Sequence, residues 1–162
     1  IKSGLLPYGE LTSLNENSPN LYKNVIKRHV SKIVKTKVVS SSSPWLVGMI
    51  HEVHDVPISH GEGRFIIDQE HLDDLLIHDQ IAFQYVDDQH QPTYNPIYNP
   101  NGSTYAIEGI LSKDGLILGK MGHSERVAED LYKNYPTIKK QNIFTNAVNY
   151  FKQRGNKHET SL

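Results

Sequence analysis

The chain has 162 residues, 17 basic against 18 acidic side chains, nine histidines and no cysteine. That length fits one domain able to bury its own core without staples, and the near balance of charge supplies no field of the kind that gathers nucleic acid or an anionic membrane. The absence of cysteine excludes disulfides, thiolate-bound zinc and a cysteine nucleophile within these residues. The first residues, Ile1-Lys2-Ser3-Gly4, form no basic-then-apolar leader, and no apolar run approaches a membrane span. The expectation is a soluble, cytoplasmic piece of something longer.

Taken in chain order, residues 1–6 read as the end of a helix stopped by Gly4 and Pro7. Residues 28–39 read as a strand with one wet face, because Val30, Val34 and Val38 alternate with Lys35 and Lys37. A serine run and Pro44 end it, and Trp45-Leu46-Val47 makes a short turn or helix. Residues 52–58 and 64–67 read as two more strands around the glycine-marked loop Ser59-His60-Gly61-Glu62-Gly63. Asp68 is placed to cap a helix carrying Leu72, Leu75 and Leu76 on one face.

Residues 81–86 return to strand, and 87–104, rich in Asn, Pro, Gln and Asp, form a long surface loop of the length that often carries function. Strands over 105–111 and 116–121 join through Lys113-Asp114-Gly115, a strong hairpin signal. A short helix is expected over 125–132. A final amphipathic helix should dock through Ile143, Phe144, Ala147, Val148 and Phe151, with 155–162 frayed. Strands mixed with helices argue an α/β or α+β class, and the hairpins argue against a purely parallel sheet.

The last strand leads into Gly122-His123-Ser124-Glu125-Arg126. If strand geometry persists, His123 and Glu125 leave the same face, and the carboxylate can orient the imidazole. Alone, that spacing has little specificity, and a solvated pair at a strand end is the better account of it. His51, Glu52 and His54 fall short of the His-Glu-x-x-His spacing of a zinc site, so no metal is expected.

Four motifs occur together and in order: Ser59-His60-Gly61-Glu62-Gly63-Arg64-Phe65, Gln84-Tyr85-Val86-Asp87, Asn99-Pro100-Asn101-Gly102-Ser103 and Gly119-Lys120-Met121-Gly122-His123-Ser124-Glu125-Arg126. This set resembles the glutaminase domain of phosphoribosylformylglycinamidine synthase, a class I glutamine amidotransferase. The likeness covers nearly the whole chain, and residues 1–10 and 28–46 look most like the long single-chain form. It implies part of a flavodoxin-like α/β fold with a mixed sheet and antiparallel hairpins. In such domains a cysteine attacks the side-chain amide of glutamine. By resemblance, His123 is the base that activates the thiol and Glu125 the group that holds the base, in the nucleophile, base and orienter logic of covalent catalysis.

The resemblance also makes Ser59, His60 and Gly61 the loop that presents backbone groups to glutamine, whereas a plain turn between strands is the alternative reading. Glu62 and Arg64 are expected to pair within that loop. The Asn99 to Ser103 signature is expected to be structural, its Asn side chains bonding backbone groups. The family pattern His-Pro-Glu is here His-Ser-Glu, which loosens the local backbone constraint.

The cysteine turn that precedes the matched region in this family is not among these residues. The expected organisation is therefore the C-terminal part of an amidotransferase domain over 1–154 with a tail over 155–162, inactive alone. Glutamine and the synthetase domains of the parent chain are the expected partners. ATP and Mg belong to the synthetase region, and no cofactor is expected in this chain. An exposed sheet edge would invite self-association. Two alternatives remain open: a stand-alone glutaminase subunit of the same pathway, and a degenerate, non-catalytic interaction domain.

Overall fold

The computed structural model describes residues 1–128, 131–135 and 138–159, with side chains to residue 154. In chain order the elements are a helical turn α1 (Leu5–Tyr8), β1 (Asn20–Tyr22), β2 (Val30–Val38), β3 (Val53–His60), β4 (Arg64–Ile66), α2 (Gln69–Ile77), β5 (Ile81–Tyr85), β6 (Ile107–Leu111), β7 (Leu118–Lys120) and α3 (Ile143–Glu159). Short 3-10 turns at Pro44–Leu46, Thr104–Ala106 and Ser124–Arg126 link them. Among the described residues no helix is long and apolar enough to cross a membrane.

Five strands form one sheet in the order β3-β2-β5-β6-β7, and β1 pairs with β4 in a separate two-stranded ribbon. Every pair in both is antiparallel. The α/β class with antiparallel hairpins stands; the parallel component of a mixed sheet is not among the described strands. β5 and β6 are buried along their whole length, which is how their near-continuous apolar runs are accommodated. One cluster, with Phe65, Leu72, Leu75, Ile81, Ile107 and Ile110, packs under α2. Another joins Val38, Leu46, Met49, Phe83 and Leu111 to Ile143 of α3.

The local signals work through identifiable contacts. Asp68 caps α2 by accepting from His71 N at 2.9 Å, the expected satisfaction of a free helix-end donor. At the β6 to β7 hairpin, Asp114 accepts from Leu116 N at 3.0 Å. Gly115 has φ 70°, and a Cβ there would lie 2.4 Å from Ser42 O, so glycine is required twice over.

Several expectations are corrected. Residues 1–4 form a turn, not a helix end, and the region after it is a single interrupted helical turn in which Leu6 is extended. Ser59 and His60 belong to β3, which runs two residues past the expected strand end, and β4 pairs with β1 outside the main sheet. On α2, Leu72 and Leu75 are buried but Leu76 is 45% exposed, one position beyond the inward stripe.

The helix expected over 125–132 is only the turn Ser124–Arg126; residues 129 and 130 lie outside the described residues. On α3, Ile143 and Ala147 are buried while Phe144, Val148 and Phe151 are exposed, since a contact one turn wide engages only the i, i+4 pair. Asn146 secures that contact by donating to Val47 O at 2.9 Å. The helical backbone continues through residues 155–159, and 160–162 lie outside the described residues.

Candidate active site

The sheet order places β3 and β7 on opposite edges, yet the chain leaving β7 returns to β3. His123 N donates to Pro57 O at 2.8 Å, and a Cβ on Gly122 would lie 2.7 Å from Val56 Cγ2. The sheet is therefore curled, and its curl brings the His123 turn to the strand that ends in Ser59 and His60.

His123 and Glu125 do meet, with Nδ1 to Oε1 at 2.7 Å. The cause is not strand alternation, as the sequence suggested, because β7 ends at Lys120 and His123 stands at the start of the Ser124–Arg126 turn. The tight turn folds the glutamate back onto the ring. Burial alone would raise the Glu125 carboxyl, but its own backbone N–H, the His123 ring and the positive charge of His123 and Arg126 together hold it below the usual carboxylate range. An ionised carboxylate only accepts, so it fixes the proton on Nδ1 and leaves Nε2 free to act as a base. A cavity of about 360 Å³ opens beside the pair, lined in part by Trp45, Gly122, Ser124 and Phe144.

The second predicted group lies at the end of β3. His29 Nε2 and Ser59 Oγ are 3.1 Å apart. His60 Nε2 lies 3.3 Å from Asn101 Nδ2, and His60 Nδ1 is buried without a partner. Desolvation lowers the His60 pKa, opposed by its own backbone and reinforced by the charges of His123 and His29. The two predicted groups are thus close enough to act on one another electrostatically.

Gly61 leaves open space where a Cβ would stand, whereas a Cβ on Gly63 would lie 2.1 Å from the His60 ring. Gly63 is the position where close approach demands glycine. Asn24, which sequence reasoning missed, clamps this loop: its Nδ2 donates to His60 O at 2.7 Å and to Arg28 O at 3.1 Å, and its Oδ1 accepts from Gly63 N at 3.1 Å.

The Asn99 to Ser103 segment organises the same region from below. Asn99 bonds Ser103 twice, donating to its O at 3.0 Å and accepting from its N at 3.1 Å. Ser103 Oγ accepts from Phe65 N at 3.1 Å, and Asn101 donates to Tyr85 Oη at 2.6 Å. Arg64 reaches Gly102 O at 3.3 Å instead of Glu62. Tyr85 is buried, and desolvation with the nearby Glu108 carboxylate pushes its hydroxyl well above the usual range, against the bond from Asn101. His54 pairs with Glu52 at 2.9 Å. Among the described residues no three His, Cys, Asp or Glu side chains converge as a metal site.

A charged pair absent from the sequence reading lies beneath His123. Glu108, fully buried, accepts from Gly122 N, and its carboxylate is 3.6 Å from Lys120 Nζ. Lys120 donates to Gly122 O at 3.2 Å, Ser124 Oγ at 2.9 Å and Gln141 Oε1 at 3.2 Å. Ser124 Oγ donates to Gln141 Oε1. A charged residue inside the wholly apolar-flanked run Ile107-Glu108-Gly109-Ile110-Leu111 was the available signal.

Known proteins resemble this chain along most of its length. It is 37% identical over 167 aligned positions to phosphoribosylformylglycinamidine synthase subunit PurQ of Methanococcus maripaludis strain C7, covering 89% of this chain and 57% of that protein. The subunit PurQ of Synechocystis sp. is 40% identical over 101 positions, 62% of this chain and 44% of the relative. The chain thus spans about half the length of these relatives. A chain in the structure of PurLQS from Thermotoga maritima superposes with a TM-score of 0.61 at 25% identity, covering 83% of this chain and 53% of that one. The family model for the CobB/CobQ-like glutamine amidotransferase domain matches residues 1–151, and the chain belongs to that family.

Proposed function

We propose that this chain carries the base and orienter of the glutaminase in phosphoribosylformylglycinamidine synthase. The observation that carries the reading is the His123 to Glu125 contact at 2.7 Å, set beside an open cavity in a chain of this family. The nucleophile it requires is a cysteine thiolate, and none is present among the 162 residues.

In the proposed reaction His123 Nε2 takes the thiol proton, and the thiolate sulfur bonds to the amide carbon of glutamine. The carbon to nitrogen bond then breaks as His123 returns the proton to the departing ammonia. Water, deprotonated by the same nitrogen, adds to the thioester carbon; the carbon to sulfur bond then breaks, the sulfur takes back the proton and glutamate leaves. Ser59, His60 and Gly61 receive the amino acid end of glutamine. Ammonia passes to a synthetase partner, where ATP and Mg support amidation of formylglycinamide ribonucleotide in cytoplasmic purine synthesis. A stand-alone subunit is the second reading, favoured by the relatives' own description as subunit PurQ.

The test is glutamine hydrolysis by the complete gene product. His123→Ala should lower kcat by about 10²–10⁴-fold, the range of a positioned acid and base, and Glu125→Gln should lower it less. The 162 residues alone should release no more ammonia than a nucleophile-free control. An unaltered rate in His123→Ala would overturn the assignment, and a complete product without glutaminase activity would favour the degenerate interaction domain.

A further inference from the structure

Lys120 presents three N–H donors, and all three are taken by one short stretch and its support: Gly122 O, Ser124 Oγ and Gln141 Oε1. Its side chain is only 9% exposed and sits 4.8 Å over the Phe83 ring. Glu108 takes the other backbone group of Gly122, accepting from its N–H. Both polar groups of the residue before His123 are therefore held by one buried ion pair. Gly122 is glycine for want of room, since a Cβ would lie 2.8 Å from Glu108 Oε1 and 3.2 Å from Lys120 Nζ.

A buried ion pair is a weak stabiliser relative to packed apolar residues, because desolvation offsets its attraction. Stability alone gives little reason to keep one here. The reason lies in the residue between the histidine and the glutamate. Proline there would fix φ and stiffen the turn, whereas Ser124 leaves that torsion free. Ser124 is instead tied through its hydroxyl to Lys120 and Gln141.

We propose that the Glu108 and Lys120 pair is the positioning device of the His123 to Glu125 turn, replacing with hydrogen bonds to Gly122 and Ser124 the backbone restraint that a proline would supply. The site would also accept that proline. Ser124 is the first residue of its 3-10 turn, the place where proline is pre-organised. His123, at φ −90° and ψ 83°, lies outside the helical region that proline forbids its predecessor.

The functional arm rests on the glutaminase reading. Removing Lys120 alone strands a buried carboxylate and risks misfolding, so the pair is neutralised together in the complete gene product. Glu108→Gln with Lys120→Met keeps an acceptor for Gly122 N–H while deleting the three donors. Glutamine turnover should fall by about 10²-fold, the scale of a small misplacement of a catalytic group, with KM within about 3-fold because glutamine's own contacts are untouched. Adding Ser124→Pro should restore most of the lost kcat.

A folded double variant with wild-type kcat, or a loss that proline leaves untouched, would overturn the proposal. The nitrogen resonances of the His123 ring give a second readout. The Nδ1 proton bonded to Glu125 should broaden or vanish in the double variant and return in the triple. That readout needs no turnover, so a wild-type product that releases no ammonia would sink the glutaminase reading and leave this inference to be judged on the ring alone; a ring signal unchanged by the double variant would overturn it.

Discussion

The two ends of the candidate site are held by different chemistries. At the His60 end the supports are neutral amides and hydroxyls: Asn24, Asn99, Asn101 and Ser103, each buried and each bonded to backbone or to another neutral group. At the His123 end the supports are a buried carboxylate and a buried ammonium. Tyr85 stands between them, bonded to Asn101 and within the field of Glu108. A neutral network loses one bond at a time, whereas an ion pair that loses one member leaves a full charge in a low-dielectric interior. The two ends should therefore fail at different costs and at different pH.

The largest effect is expected where a charge is stranded. Glu108→Leu leaves Lys120 buried without its counter-ion and should lower unfolding free energy by about 3–5 kcal/mol. Adding Lys120→Met should recover most of that loss, because neither charge then remains to be desolvated. Urea midpoints at constant m-value measure both. Equal losses in the single and double variants would mean that the pair acts through packing and would erase the contrast between the two ends. Next in size is Asn99→Ala, which strands Ser103 N and leaves Ser103 O only the N–H of Ala106, and should cost about 1–3 kcal/mol. A cost matching that of Glu108→Leu would show the neutral network to be no more forgiving than the ion pair.

The difference between the ends also decides what was legible in the sequence. Asn99-Pro100-Asn101-Gly102-Ser103 could be read as a loop organiser because its bonds are local, four residues apart, and amide side chains have a strong habit of capping nearby backbone. The cap at Asp68 and the Asp114-Gly115 hairpin were legible for the same reason. His123 and Glu125 do lie together, but strand alternation is not the cause: a tight turn does the work.

Glu108 and Lys120 were not legible as partners. They are neighbours only because β6 pairs with β7, Gly109 lying opposite Lys120, and because the chain beyond β7 curls back over both. Asn24 was hidden likewise, its contact with His60 spanning 36 residues. The stripe of Phe144, Val148 and Phe151 shows the reverse failure. The helical period holds along α3, yet period alone does not say which of two apolar faces meets the body.

The smallest effect concerns pH at the neutral end. Asn101 Nδ2 faces His60 Nε2 at 3.3 Å, a contact that is attractive only while that nitrogen keeps its lone pair. Desolvation and the neighbouring charges of His123 and His29 favour the same neutral ring, holding its pKa below the ordinary value of 6.5. Above that value the ring is neutral in both the folded and the unfolded chain, and the contact is fully available. As pH falls through about 6.5, the unfolded chain takes up a proton that the folded ring refuses, so stability falls with pH until the lower folded pKa is passed.

His60→Gln keeps a polar tip toward Asn101 and removes the titration. The drop in unfolding free energy between pH 7.5 and 5.5 should therefore be shallower in His60→Gln than in the wild-type chain, the other histidines contributing to both. Parallel losses would show that the ring protonates as readily folded as unfolded. The neutral network would then have to tolerate a donor facing a donor, and the distinction between an amide-held end and an ion-held end would no longer rest on proton exclusion.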